Sequence, residues 1–366
     1  MKNFLLSLII VTALAACGNN TDEQNTNKKP LIKIGATLPL TGNYAETGNS
    51  AKAAMLLALD KWKTKNTKYD YEILFEDDAL KPAQATLNAQ NFINLKEVKA
   101  IVSIFGIVDR PIDNIANQNH IISASCSYGK LQVPAYGFNT CVQNKQIADI
   151  LIPKLKKENI RKIALVMANT VVSLSVGDYF ADMLPQSGFE VVAYEKYNMD
   201  TRDMRLSILA MEEKHPDYYL TFAAAPLTDI LVKQLKEVVN KRNIASLGTF
   251  TEMAPQMFPL VEGLWTIDTI SGTDEFVKTF TDTTGYKVKS CTANSYDNID
   301  LMIWAFENTP TKNEEIFPYN IDVINTIKKI KDWRGASGNL TFINGIASPS
   351  AHLRMYNGDK FVDIEE

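Results

Sequence analysis

Short apolar runs alternate with amphipathic stretches from residue 31 to residue 269, and this alternation restricts the fold more than any other feature of the chain. The runs at 31–40 (LIKIGATLPL), 69–78, 98–105 and 120–125 have strand length, and the stretches at 47–63, 81–95 and 109–118 between them carry helical spacing. Pro82 stands in the first turn of the second helix, where an absent N–H is tolerated. A second series repeats the order: helix 145–158, strand 162–168, helix 176–187, strand 189–195, helix 203–214, strand 217–224, helix 227–241, and strands 244–250 and 263–269. Strands alternating with helices imply parallel sheets with right-handed crossovers. Two such series, in a mature chain of about 350 residues, exceed what one core usually holds and predict two doubly wound α/β lobes. Ligands of such sheets lie beyond the carboxyl ends of the strands. That rule gathers SIFG (103–106), SASCS (123–127), TFAAA (221–225) and GTFTE (248–252) around one cleft.

The start of the chain bears on location. Met1-Lys2-Asn3 is a short basic segment, and the apolar run 4–13 after it is too short to span a bilayer, so residues 1–16 read as a cleavable export signal. Leu14-Ala15-Ala16-Cys17 resembles the lipobox of bacterial lipoproteins, which implies that Cys17 is acylated and becomes the mature N-terminus. Several acyl chains, at about 0.8 kcal/mol per buried methylene, make a stable anchor where one chain does not. Residues 17–30 are polar and lack apolar periodicity, so they read as a flexible tether. The folded part is therefore expected in the cell envelope, facing the periplasm or exterior. Gly18 stands where inner-membrane retention is associated with aspartate, which leans toward an outer membrane if the cell has one.

Composition narrows the function classes. A net charge of −4 leaves no basic surface of the kind nucleic acid requires. Beyond Cys17, the cysteines Cys126, Cys141 and Cys291 are odd in number, so at most one bridge forms and one thiol remains. The residues allow a Cys126–Cys141 bridge, which spacing alone does not establish. Catalysis finds little support. His120 and Cys126 stand at opposite ends of one short strand, about 20 Å apart, too far for a nucleophile and its base. His215 and His352 are isolated, and three scattered histidines make no zinc spacing. No nucleophile elbow or phosphate-binding glycine loop occurs, so no enzyme activity, metal or cofactor is expected. Of the pair Asp77-Asp78, one is expected to cap the following helix and the other to be solvated.

IKIGATLPLTGNYAETG (32–48) resembles the opening of the leucine/isoleucine/valine-binding family, the type I periplasmic solute-binding proteins of branched-chain amino-acid ABC importers. FEDDALKPAQA (75–85), ISASCSYGKL (122–131) and VEGLWT (261–266) resemble later motifs of that family, in its order. So do SYDNIDLMIWAFE (295–307), WRGASGNLTF (333–342) and YNGDKFV (356–362). The resemblance implies two discontinuous lobes joined by three crossing strands. Lobe 1 would comprise 31–142 plus 268–330, and lobe 2 would comprise 143–267 plus 331–366. Such a hinge closes the lobes over a ligand, and a transporter recognises the closed form.

The resemblance also implies where a ligand would bind. Ser125 and Ser127 fall on the family's hydroxyl positions for the ligand's charged groups, with Cys126 between them pointing away. Phe105 and Gly106 occupy the loop where the family carries a serine. Thr47 replaces an aromatic residue that Tyr44 partly supplies, and Val172 and Ala224 stand where tyrosines are expected. Phe250 lies in the last of the cleft loops, and Glu252 is the candidate partner for a ligand ammonium. One half of an amino-acid clamp is thus present and the other half altered. The function implied is a lipid-anchored, monomeric solute-binding component that closes on a small amino-acid-like or related organic solute and delivers it to an ABC permease. The alternative is a ligand-free lipoprotein of the same fold that binds and regulates an envelope protein such as a cell-wall synthase.

Overall fold

The structure, a computed structural model, describes residues 28–129, 132–239, 243–268, 272–347 and 351–364. The expected export signal, and Cys17 with most of the tether, lie outside the described residues. The first lobe opens with β1 (Leu31–Leu38), α1 (Ala45–Lys63), β2 (Asp70–Asp77), α2 (Pro82–Asn94), β3 (Ala100–Ile104), α3 (Gly106–Gln118), β4 (Ile122–Cys126) and β5 (Gly137–Asn139). The chain then builds the second lobe from α4 (Asn144–Lys157), β6 (Lys162–Ala168), α5 (Val171–Gln186), β7 (Glu190–Tyr197) and α6 (Arg205–Glu212). The same lobe continues through β8 (Tyr218–Phe222), α7 (Leu227–Val238), β9 (Ile244–Ser246) and β10 (Trp265–Asp268). It returns to the first lobe for α8 (Asp274–Thr284), α9 (Thr292–Asn308), α10 (Asn320–Lys328), β11 (Trp333–Gly335), β12 (Gly338–Leu340), β13 (Phe342–Ile343) and β14 (Ile346–Ala347). It ends in the second lobe with β15 (His352–Tyr356) and β16 (Phe361–Asp363).

Each lobe holds a seven-stranded, mostly parallel sheet, ordered β13-β14-β5-β4-β3-β1-β2 in the first and β16-β15-β10-β9-β8-β6-β7 in the second. All five residues of β3 and of β4 are buried, so a parallel strand covered on both faces reads as an unbroken apolar or small-residue run. In α1 the buried Ala51, Ala54, Met55, Ala58, Leu59 and Trp62 recur at helical spacing and form the stripe that packs against α9. That contact ends in a polar lock: Asp300, 2% exposed, accepts from Trp62 Nε1 and from Lys61 Nζ, each at 2.7 Å. Asp300→Ala leaves the indole N–H unpaired and is expected to cost about 2–3 kcal/mol in urea denaturation, with the far-UV spectrum unchanged.

The structure departs from the sequence reading at particular places. The strand expected at 244–250 stops at Ser246, and residues 250–252 turn as a short 3₁₀ helix. Helix α5 begins at Val171 rather than 176, because the Thr170 side chain accepts from the N–H of Ser173 and caps it earlier. Neither acid of Asp77-Asp78 caps α2. Asp77 accepts from the N–H groups of Leu40, Thr41 and Ala79, and Asp78 accepts from the Thr37 hydroxyl and the Leu80 N–H. Asp77 therefore shapes the loop after β1, and Asp78 ties β1 to the loop after β2.

The boundary expected at residue 331 also moves. Residues 333–347 belong with the first lobe: Ile346 of β14 pairs with Asn139 of β5, and Leu340, Phe342 and Ala347 lie in the first lobe's core. Asp297 fixes this segment by accepting from Ala336 N at 2.6 Å and Ser337 N at 2.8 Å. The last passage between lobes consequently falls between β14 and β15.

Candidate functional site

The carboxyl ends of both sheets face each other, and the loops leaving them form the cleft. In the first lobe, β3 ends at Ile104 and Phe105 follows at φ 71°, a left-handed conformation costly for an aromatic residue. Its N–H donates to Cys126 O at 3.0 Å, and its ring meets Tyr44 of the β1–α1 loop edge-on at 5.5 Å. Gly106 then starts α3, where a Cβ would stand only 2.8 Å from Ser127 Oγ, so a larger residue here would displace the Ser127 side chain. Thr47 lies in the first turn of α1, partly buried.

The β4 loop is held by a residue that the sequence reading missed. Asn139, fully buried on β5, accepts from Ser127 N at 2.9 Å and donates to Ser127 O at 2.8 Å. One amide side chain thus occupies both backbone groups of Ser127 and fixes the loop. Ser125, also fully buried, directs its hydroxyl to Phe138 O at 3.4 Å and Asn139 Oδ1 at 3.3 Å. Asn139→Ala is expected to cost about 2–3 kcal/mol of stability, because it leaves buried backbone groups unpaired. Proteolysis next to residues 127–129 is expected to accelerate at the same time, which limited digestion of the native protein measures.

Cys126 is disulfide-bonded, but to Cys291, 165 residues away at the start of α9, with a Cα separation of 5.8 Å. The expected Cys126–Cys141 pairing is therefore corrected. Cys141 is a buried free thiol that burial pushes up to about 12. The reason is topological: α9 returns to the first lobe with its first turn against the end of β4, and Cys291 Sγ lies 3.4 Å from Cys126 O.

From the second lobe come Phe222, the last residue of β8, and Ala224 beyond it, with Thr251 and Glu252 after β9. Phe250 does not face the cleft: it is fully buried in the second lobe's core, with Tyr219, Leu227 and Met253. Among the described residues, the contacts between the lobes include Arg354 of β15 with Asp274 of α8 at 3.3 Å, and three at the loops beyond the strand ends. The rings of Tyr128 and Phe222 lie 5.4 Å apart, and a Cβ on Gly129 would stand 2.9 Å from Ser175 Oγ. The Ser290 hydroxyl donates to Glu252 Oε1. Burial pushes the Glu252 carboxyl up and Asp268 adds to this, against the Ser290 hydrogen bond and the Lys289 charge. Among the described residues the buried Tyr128 hydroxyl and Thr251 Oγ1 have no hydrogen-bond partner, an arrangement that is costly unless something else satisfies them.

Tyr128, Phe222, Ser290 and Thr251 carried no distinct sequence signal of their own. Tyr128 and Phe222 stood within or beside the loops that strand polarity placed at the cleft. Asn139 gave no signal, because its partners are reached only through the pairing of β4 with β5.

Two seven-stranded parallel-sheet lobes, with the loops beyond their strand ends in contact, define a two-lobed α/β architecture. The chain belongs to the periplasmic binding protein family, whose model matches residues 31–359. A search of curated proteins finds no match. Among solved structures, a solute-binding protein of an ABC transporter from Rhodopseudomonas palustris, in complex with 4-hydroxybenzoate, is 19% identical with a TM-score of 0.79, covering 92% of this chain and 96% of its own. One from Rhodopseudomonas palustris BisB5, in complex with 3,4-dihydroxybenzoic acid, is 19% identical with a TM-score of 0.77 over the same shares. A leucine-binding protein from Thermotoga maritima is 17% identical with a TM-score of 0.75, covering 91% of this chain and 98% of its own. At these identities the structures establish the fold.

Proposed function

We propose that this chain is the solute-binding component of an ABC importer, anchored outside the cytoplasm through acylated Cys17, and that it closes its lobes on a small organic solute. The observation that carries the reading is the Tyr128 hydroxyl, buried between the lobes with no partner among the described residues and backed by Phe222. A ligand group there would satisfy it. Tyr44, Phe105, Tyr128 and Phe222 offer apolar faces, and Ser127, Thr251, Ser290 and Glu252 offer polar ends. This set suits a compact solute with a flat apolar body and few polar groups. It suits an amino-acid zwitterion less well, because Asn139 already occupies the Ser127 N–H.

No helix among the described residues is long and apolar enough to cross a membrane, so attachment in this reading falls to Cys17. The test is a thermal-shift screen against hydroxybenzoates, amino acids, small carboxylates, amides and short peptides. A ligand at a hundred times its dissociation constant stabilises by about 2.7 kcal/mol. The expected result is a clear rise in melting temperature with one compound class, reduced in Tyr128→Phe. A second reading, a ligand-free scaffold that binds an envelope protein, is favoured by one observation: the Tyr128–Phe222 contact fills part of the cleft with the protein's own side chains. No shift across the whole library would favour that reading.

A further inference from the structure

The amino ends of the first lobe's strands form a pole opposite the cleft, and four large apolar residues are exposed on it. Leu95 is 73% exposed, Ile316 63%, Leu31 42% and Tyr319 41%. They come from separate segments brought to one end of the sheet. Leu31 starts β1 beside Asp70 at the start of β2. Lys33 Nζ donates to Lys96 O at 3.2 Å, which places the turn after Leu95 against β1. Asn320 Nδ2 donates to Lys99 O at 3.2 Å and His120 O at 2.9 Å, which seats the 316–320 segment over the starts of β3 and β4.

Basic side chains surround these residues. A notch of about 250 Å³ is lined by Lys29, Lys63 and Lys65 together with Trp62 and Tyr69. Lys99 lies over the Phe317 ring at 5.0 Å, and that ring is 5.6 Å from Tyr69. Asp70, Glu97, Glu314 and Glu315 are interspersed, so the face combines apolar and cationic groups without being uniformly positive. The described chain also enters the fold here, at Lys28, eleven residues after Cys17. Fully extended, those residues reach at most about 38 Å.

We infer that this pole docks on the bilayer that carries the anchor, laying Leu31, Leu95, Ile316 and Tyr319 into the headgroup layer with the lysines on anionic phosphates. The inference rests on the reading of Cys17 as acylated, which places this face within reach of lipid. The tether supplies the effective concentration, and the pole supplies orientation. Strand β1, at about 3.3 Å per residue, separates the pole from the cleft by about 26 Å. Docking therefore turns the cleft away from the anchoring surface.

The test uses the mature chain, residues 17–366, carrying Cys17→Ser, which has no export signal and cannot be acylated, in sedimentation with vesicles of phosphatidylethanolamine and phosphatidylglycerol (3:1), or of phosphatidylcholine alone. The wild-type fold is expected to bind the anionic vesicles and to bind phosphatidylcholine more weakly. Leu95→Ser/Ile316→Ser is expected to weaken binding at least about tenfold. Each of Lys29→Glu and Lys96→Glu is expected to weaken it about fivefold. Leu206→Ser/Leu209→Ser, which removes another exposed apolar pair, on α6 of the second lobe, leaves binding unchanged. Absence of vesicle binding, or equal losses in the two leucine-containing double variants, overturns the docking. Acylation is read separately, by palmitate labelling of the unmodified chain in bacterial cells. Labelling without vesicle binding removes the docking alone, and vesicle binding without labelling removes the anchor alone.

Discussion

Replacing Cys126 and Cys291 together with alanine lowers the stability of the protein by about 4 kcal/mol, and Cys141→Ala lowers it by less than about 1.5 kcal/mol. The bridge closes a loop of 165 residues that includes the whole first passage through the second lobe, so its loss frees a large part of the unfolded ensemble. Urea denaturation with and without dithiothreitol measures the effect. Reductant should bring the wild type to the level of the double variant and leave the double variant where it was. Free Cys141 makes the comparison specific, since a Cys126–Cys141 bridge would make Cys141→Ala the costly change instead. The consequence extends to the cleft. Cys126 lies beside Ser127 and Tyr128, and Cys291 follows Ser290, whose hydroxyl reaches Glu252 of the other lobe. The bridge thus joins two of the segments that meet the second lobe.

Asp297→Ala is expected to cost about 3–5 kcal/mol, because its buried carboxyl accepts from the Ala336 and Ser337 N–H groups and from the Ser337 hydroxyl. Gly335 shows how tightly this contact is built: a Cβ there would stand 2.7 Å from Asp297 Oδ1. Burial pushes the Asp297 carboxyl up to about 7, against the hydrogen bonds from Ser337 and Ala336, with Asp300 adding to the rise. The folded protein therefore keeps a proton here that the unfolded chain, with an ordinary value of 3.8, has already lost. Stability from this group is full below about pH 4, falls as pH rises from there to about 7, and is level above. Between pH 5 and pH 8 the wild type is expected to lose about 2 kcal/mol more than Asp297→Asn, which has no proton to lose. Equal losses in both proteins would show that the carboxyl titrates normally in the folded state.

What the sequence displayed and what it concealed divide along physical lines. Strands such as β3 (AIVSI) and β6 (KIALVMA) are covered on both faces by helices, so burial wrote them as apolar runs. Strand polarity then placed the cleft loops. Strands β13 and β14 are two residues each, too short to leave a periodic signal, and they join the first sheet only because Ile346 of β14 meets Asn139 of β5, more than 200 residues earlier. The same return of the chain hid the disulfide, since nothing local to Cys126 points to Cys291. Ser125 and Phe250 were placed by position in a motif, whereas their side chains turn into the sheet and the core. Asn139 could not be seen at all, because its role exists only once β4 and β5 are paired.

In the proposed function, the two lobes close on a solute at the cleft between them. The most direct measurement is the distance between spin labels at Ile107, exposed at the start of α3, and Val171, exposed at the start of α5, by pulsed electron resonance. A long or broad distribution is expected without ligand, and a single short distance when the compound that raises the melting temperature most is added. One narrow distance, unchanged by every stabilising compound, would contradict a hinged binder and mark the two lobes as a rigid scaffold.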